Sequence, residues 1–276
     1  MKNTILKFVL SSIIVLFPML SHADIVDEIE ARKEIIVGVK TDYKPYGFLD
    51  ASGRHTGIEV DLAKNVAEKL KVAVRFVPVV SSNRIEFLEQ GKIDLMIATM
   101  TDKPERRKRV LASTPNYYSS GTNVIALKSY DFNQWEELSG RKVCGINGAF
   151  YNDSIKQKFG AELVIYKSTD NALRALSGGS CIAFVFDDSF IAGLLTDEKW
   201  SENYEMPFET IDDAPWALSV RKGENRLHTI MNEIIIDWHK TGRILGLEAK
   251  YGLRNTSYAI RTHQKYNEIL KVFKNK

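Results

Sequence analysis

Apolar residues recur along this chain with two different periods, and the periods alternate. Ile35-Ile36-Val37-Gly38-Val39 is a short unbroken apolar run, which predicts a strand buried on both faces. After a polar stretch, Ile58, Leu62, Val66 and Leu70 recur every four residues and predict a helix with one apolar stripe. Strands are predicted at 73–77 and 95–98, with a short helix near 85–89 between them. A second set follows Tyr117-Tyr118-Ser119-Ser120-Gly121. Its strands fall at 142–145, 163–166 and 182–186, and its helices near 151–159, 171–176 and 189–195. A last amphipathic helix near 227–238 carries Leu227, Ile230, Met231, Ile234 and Trp238 on one stripe. The segment 217–220 before it reads as a strand returning to the first set. This order predicts an α/β fold of two lobes, each a mostly parallel sheet with flanking helices. The expected lobes are 24–119 together with 218–276, and 120–217. Residues 251–276 form a polar, basic tail that neither period explains.

The first residues read as a targeting segment. Lys2 and Lys7 precede an apolar run at 8–20, which is shorter than the roughly 20 residues a spanning helix needs. Ser21-His22-Ala23 then puts small residues at both positions that a signal peptidase reads. Residues 1–23 are therefore expected to be a cleaved signal peptide, and the rest a soluble, exported, periplasmic monomer. The alternative is an uncleaved anchor.

Charge changes this picture little. The chain has 38 Lys and Arg against 35 Asp and Glu; without Lys2 and Lys7 the balance is 36 − 35 = +1. That near-neutrality gives no reason to expect a nucleic-acid partner. The two cysteines, Cys144 and Cys181, each adjoin a predicted strand. If those strands are neighbours the sulfurs can meet in a disulfide, which an oxidising compartment permits; otherwise they are two buried thiols. The spacing is no metal signature, and five scattered His residues add none.

In open parallel sheets, ligands sit beyond the carboxyl ends of the strands. That rule singles out Lys40, Thr41 and Asp42 after the first strand and Thr99 and Thr101 after a later one. It also selects Gly148 and Ala149 after a third and Asp187 after a fourth. Two lobes facing each other across such ends would enclose a cleft.

These residues lie in segments that resemble a known family. The run Asp94 to Val110, DLMIATMTDKPERRKRV, resembles bacterial extracellular solute-binding proteins of the polar amino acid class. So do VGVKTDYKPYGF, GIEVDLAKNVAEKL, CIAFVFDDSF, LSVRKGE and AKYGL, in that order, over about 35–253. The resemblance implies two hinged lobes that close on a ligand, no cofactor, and delivery to a membrane permease driven by an ATPase. SSNRIEFLEQGKID further resembles the glutamate/aspartate binders, which carry an Arg at the position of Arg84 and tend to carry a cation at that of Lys40. Binders of basic amino acids have an acid at the Lys40 position and an aromatic where Ser81 stands. Family members often have a hydroxyl residue where Phe150 stands, so this chain departs from the pattern there.

Each pole of a free amino acid needs a partner when it leaves water, because an unpaired buried charge costs several kcal/mol. Arg106 suits the α-carboxylate through a two-pronged guanidinium grip. Thr99 and Thr101 can add hydroxyl and backbone donors, as can the backbone at Gly148 and Ala149. Asp187 suits the α-ammonium, with Asp188 left to cap the following helix. Arg84 and Lys40 suit a second carboxylate, and Ser81 and Thr169 can donate to the ligand side chain. Tyr43 and Tyr46 either wall the pocket or pack in a lobe core. Arg106, Arg84 and Lys40 against Asp187 make the empty site +2. An acidic amino acid brings it to +1, glutamine leaves +2, and a basic ligand raises it to +3 in a water-poor cleft. The expected ligand is glutamate or aspartate, with glutamine the nearest competitor. Two other classes are weighed: a dehydratase of prephenate-like acids on the same scaffold, and a sensory module whose closed form signals to a receptor. A serine hydrolase is not supported, because the chain has no G-x-S-x-G elbow.

Overall fold

The computed structural model describes residues 24–274, so the expected signal peptide, 1–23, lies outside the described residues. The chain opens with helix α1 (Ile25–Arg32), capped by the Asp24 carboxylate, and strand β1 (Glu34–Val39). A small three-stranded sheet follows, made of β2 (Asp42–Tyr43), β3 (Gly47–Leu49) and β4 (His55–Thr56). Next come helix α2 (Ile58–Leu70), β5 (Ala73–Pro78), α3 (Arg84–Glu89), β6 (Leu95–Met96), α4 (Pro104–Arg107) and β7 (Val110–Ala112). The second set comprises β8 (Tyr118–Leu127), β9 (Lys142–Ile146), α5 (Asn152–Phe159), β10 (Glu162–Tyr166) and α6 (Thr169–Ser177). It continues through β11 (Ala183–Asp187), α7 (Asp188–Leu194), α8 (Glu198–Ser201), β12 (Tyr204–Glu205) and β13 (Ile211–Trp216). The chain then returns through β14 (Ser219–Arg221), α9 (Asn225–Lys240), α10 (Arg243–Lys250) and α11 (Ser257–Lys274).

One sheet has the order β5-β1-β6-β14-β7 and the other β10-β9-β11-β8-β12, with β13 also paired to β8. Both are mixed, which qualifies the expectation of mostly parallel sheets. The strands separated by helices, β1 with β5 and β6, and β9 with β10 and β11, do pair in parallel. The strands that leave and re-enter a lobe run antiparallel: β14 against β6 and β7, and β8 against β11, β12 and β13. β8 went unrecognised in the sequence because its start, Tyr118 to Asn123, is mostly polar. All six of those positions are buried all the same, as a strand paired on both sides requires.

The two segments that pass between the sheets run side by side. Tyr117 N–H donates to the Trp216 carbonyl at 3.0 Å, and Ala217 N–H to that of Met100 at 2.9 Å. Trp216 is fully buried there, with the rings of Tyr46 and Tyr118 centred 4.9 and 5.1 Å away. Aromatic contacts of this kind hold the crossing stiff, and truncating such a Trp to Ala costs about 3–5 kcal/mol.

Cys144 of β9 and Cys181, just before β11, are joined in a disulfide with Cα atoms 5.6 Å apart. β9 and β11 are neighbours, as that bond requires. The polar tail is a helix. α11 lays Tyr258, Ala259 and His263 against α9 and the β8 crossing, and Tyr258 Oη donates to the Asn116 carbonyl at 2.9 Å. Tyr266 stacks on His239 at 5.5 Å. Among the described side chains, the packed residues of α11, Tyr258, Ala259, His263 and Tyr266, make no stripe of large aliphatics, which is why the apolar period missed it.

Candidate functional site

The carboxyl ends of β1, β6, β9 and β11 converge on one gap between the two sheets. Tyr43, Ser81, Arg84, Thr99, Thr101 and Arg106 line it from one side, and Ala149, Phe150, Tyr151, Phe186 and Asp187 from the other. The gap is nearly shut, with a cavity of about 10 Å³, the room one water needs. Three hydrogen bonds cross it. Tyr43 Oη donates to Asp187 Oδ2, Arg106 Nη2 donates to the Gly148 carbonyl at 3.1 Å, and Thr169 N–H donates to Asp42 Oδ2 at 2.8 Å. Lys103 Nζ also lies 4.7 Å over the Phe150 ring. Gly148 adopts φ +79°, and a Cβ there would sit 3.0 Å from the Ser81 carbonyl, so the facing loops meet in backbone contact. An amino acid needs more room than this, so the halves must part to admit it.

Asp187 ends β11 and makes no side-chain cap to α7. Asp188 does not cap either: its Oδ1 accepts from Ser120 Oγ at 2.6 Å and Gly121 N–H at 2.9 Å, tying α7 to the crossing strand. Asp187 is 6 % exposed, and its Oδ1 has no partner. Burial pushes its carboxyl up to about 7; the Tyr43 hydrogen bond and Lys40 pull the other way, and Asp188 adds to the rise.

Arg106 projects from α4 with Nη1 on the Thr101 carbonyl at 3.0 Å, and burial lowers its pKa. Arg84 starts α3 and is 3 % exposed. One of its Nη1 protons goes to the Ala98 carbonyl, while its Nε has no partner. Burial first, and then Arg106, bring it down to about 10.

Lys40 and Thr169 are not among the side chains that line the cavity. Lys40 Nζ donates to Ser81 Oγ at 2.8 Å from behind, and sits 5.0 Å over the Tyr43 ring. Burial and Arg84 lower it to about 8. Thr169 is buried at the start of α6 with its hydroxyl unpartnered. Of the backbone donors expected of the second loop, the Ala149 N–H is committed to the Ile146 carbonyl at 3.0 Å, and Gly148 turns its carbonyl to Arg106. Tyr43 both walls the cavity and packs on Phe186 and Phe190, at 4.8 and 4.9 Å.

Phe150, which stands where family members often have a hydroxyl, lines the cavity, and two further lining rings, Tyr151 and Phe186, escaped the sequence reading, because a ring in an apolar run signals a core as readily as a pocket. A buried carboxylate escaped it too. Glu59, in the first turn of α2, accepts the Thr99 N–H at 2.6 Å and the Tyr117 hydroxyl, so the Thr99 backbone donor is not free for a ligand. Its position directly after Ile58, where the stripe of α2 begins, gave the only hint. Burial raises its pKa against the pull of Tyr117, Thr99, Lys40 and Arg84. With Glu59 ionised, the site charge is +3 − 2 = +1 rather than +2. Among the described residues no group of His, Cys, Asp and Glu could hold a metal ion.

The arrangement fits a small zwitterion, with an Arg at one end, a buried Asp at the other, and aromatic walls between. The model of the bacterial extracellular solute-binding proteins, family 3, matches residues 35–254. The ABC transporter glutamine-binding protein GlnH of Bacillus subtilis is 29% identical, over 81% of this chain and 82% of its own. A glutamate/aspartate import solute-binding protein of Salmonella typhimurium is 24% identical, over 78% and 75%. Among solved structures, a solute receptor for L-cysteine of Neisseria gonorrhoeae superposes with a TM-score of 0.78 at 25% identity, covering 85% of this chain and 98% of that one.

Proposed function

The chain belongs to the bacterial extracellular solute-binding proteins, family 3, and from that premise we propose that it captures glutamate or aspartate in the interlobe cleft for an ABC permease. The observation that carries this reading is the set of three cations, Arg106, Arg84 and Lys40, gathered at or just behind one cleft against Asp187. Arg106 takes the α-carboxylate, Asp187 the α-ammonium, and the free donors of Arg84 the second carboxylate, with Lys40 acting through Ser81. In a site of charge +1, an acidic ligand leaves no net charge, a neutral one leaves +1, and a basic one +2. Desolvation disfavours the last two in turn.

Calorimetry on protein refolded to strip carried-over ligand tests this reading. Heat with glutamate or aspartate is expected; binding of glutamine or arginine alone would refute it. Glutamine is the second reading. Its support is the Bacillus subtilis relative and the Glu59 carboxylate, which lowers the charge that favours an acid. The three compared relatives are named as binding proteins or receptors, which favours capture over catalysis. Incubation with prephenate is accordingly expected to yield no aromatic product.

Capture then works by closure. Each lobe supplies part of the grip, so ligand shifts the balance toward the closed form by its differential affinity for it. We take 24–119 with 218–276 and 120–217 as the moving bodies, hinged where β8 and β13 run together. Export through residues 1–23 places the chain in the periplasm as a monomer. No described helix is long and apolar enough to cross a membrane, and the Cys144–Cys181 bond suits an oxidising compartment.

A further inference from the structure

The peptide unit between Ala98 and Thr99 is held at both ends by buried charges. Its carbonyl accepts from Arg84 Nη1, and its N–H donates to Glu59 Oε1 at 2.6 Å. Both side chains are buried, Glu59 completely. Thr99 sits at φ +49°, a left-handed conformation that a β-branched residue adopts only when its surroundings enforce it. Thr99 lines the cleft one residue beyond the clamped carbonyl. The second Glu59 oxygen, Oε2, is buried without a partner, while Lys40 and Arg84 both act on the carboxylate electrostatically.

From this juxtaposition we propose that Glu59 is a positioning and selectivity-setting residue of the binding site, although it does not line the cleft. It has two separable effects. As an acceptor, it fixes the Thr99 backbone and so aims the Thr99 hydroxyl into the cleft. As an anion, it offsets one of the three cations that a ligand meets, and so weakens the site's preference for acidic over neutral amino acids. This rests on the reading that the cleft binds an amino acid beside Thr99.

Two substitutions separate the effects. Glu59→Gln keeps a carbonyl oxygen for Thr99 and Tyr117 but removes the charge. Glu59→Ala removes both. Wild type is titrated first with L-glutamate, L-aspartate and L-glutamine, and absence of any binding would sink the amino acid reading itself. With binding established, Glu59→Gln is expected to raise the ratio of glutamate to glutamine affinity about threefold or more, because one negative charge has left a dry neighbourhood. Glu59→Ala is expected to show the same rise in that ratio and, in addition, to weaken all three ligands by about tenfold, through loss of a charge-assisted hydrogen bond that orders the cleft. Thermal melts of the ligand-free variants, run beside the titrations, establish the folded fraction. A merely structural Glu59 would lower the melting temperature and leave the selectivity ratio of the folded protein where it was. An unchanged ratio in Glu59→Gln therefore overturns the counter-charge role. Wild-type affinity in a folded Glu59→Ala overturns the positioning role. If Glu59→Ala does not fold, the Glu59→Gln ratio still decides the first, and a threefold or smaller affinity change in Tyr117→Phe, which spares the Thr99 bond, supports the second where a tenfold loss would overturn it.

Discussion

The hydroxyl of Tyr43 donates to Oδ2 of Asp187 across the cleft, so one oxygen of the carboxylate assigned to the ligand ammonium is already occupied from the opposite lobe. The other oxygen, Oδ1, is buried and free of any partner. One carboxylate thus links the two sides of the cleft through Oδ2 and, in the proposed reading, keeps Oδ1 for the ligand ammonium.

The first prediction concerns pH. Burial raises the Asp187 pKa to about 7, so below that pH the empty site holds a proton that an ammonium ligand must displace, while above it the carboxylate is ionised. The proton and the ligand compete, and affinity is lost as pH falls through about 7, approaching tenfold per unit below it. Calorimetry between pH 5 and 8 should show that slope. Asp187→Asn should flatten the profile at a low affinity. Tyr43→Phe removes a hydrogen bond that lowers this pKa, and should move the midpoint upward. A wild-type profile that is level from pH 5 to 8 would contradict the assignment.

The second concerns Arg106. It touches Thr101 in one lobe and Gly148 in the other, so removing it costs both the α-carboxylate grip and a closing contact. Arg106→Ala should weaken every amino acid by about 30-fold or more, in line with the 2–5 kcal/mol of a truncated buried charge pair. Arg106→Lys should restore little, because a point charge cannot reproduce the fork.

The third separates the cations. Arg84 also fastens the Ala98 carbonyl, so Arg84→Ala is expected to lower stability as well as the affinity for acidic ligands. Lys40 fastens only Ser81 among the described residues. Lys40→Met should therefore read selectivity more cleanly, with about a tenfold loss for glutamate or aspartate and under about threefold for glutamine. Equal losses for all three would remove the role given to Lys40.

The fourth concerns the disulfide. It spans a sequence separation of 37 residues. Cys144→Ser with Cys181→Ser should destabilise the chain by about 2–4 kcal/mol in a denaturant titration, through the looser unfolded state. Ligand affinity should change little, since neither sulfur lines the cleft. A stability within about 0.5 kcal/mol of wild type would contradict this.

The fifth concerns the tail. Truncation after Arg254 strips Tyr258 and Ala259 from the crossing and uncovers His239. The melting temperature should fall by about 5 °C or more, as a loss of about 2 kcal/mol implies for a chain of this size. An unchanged melt would mean that α11 contributes nothing to the fold.

How much of this was legible beforehand depends on the kind of signal. The runs Ile35 to Val39 and Lys142 to Ile146, and the stripes of α2 and α9, are local periods, and the structure forms strands and helices there. β8 and α11 carried no such period. One is buried because both its edges are paired; the other is held by rings and hydroxyls that meet only in three dimensions. Thr99, Asp187 and Ala149 line the cleft because the strand leading to each of them ends there, whereas Lys40, also at a strand end, lies behind the lining. Their exact partners were not legible. That Lys40 stands behind Ser81, that Ala149 spends its N–H on Ile146, and that Glu59 takes the Thr99 N–H depend on rotamers and turns set by distant neighbours.

The sequence by itself determined the alternation of strands and helices, the order of the two lobes, and a supply of cations and one acid at strand ends. Those features follow from the period of apolar residues and from the direction in which each strand runs. Only the tertiary structure decided how the charges are apportioned: which cation faces the cleft, which fastens a carbonyl, and that Glu59 offsets them. The physical reason is that the strength of a buried charge depends on its nearest partners and its distance from water, and both arise only when segments remote in sequence are brought together.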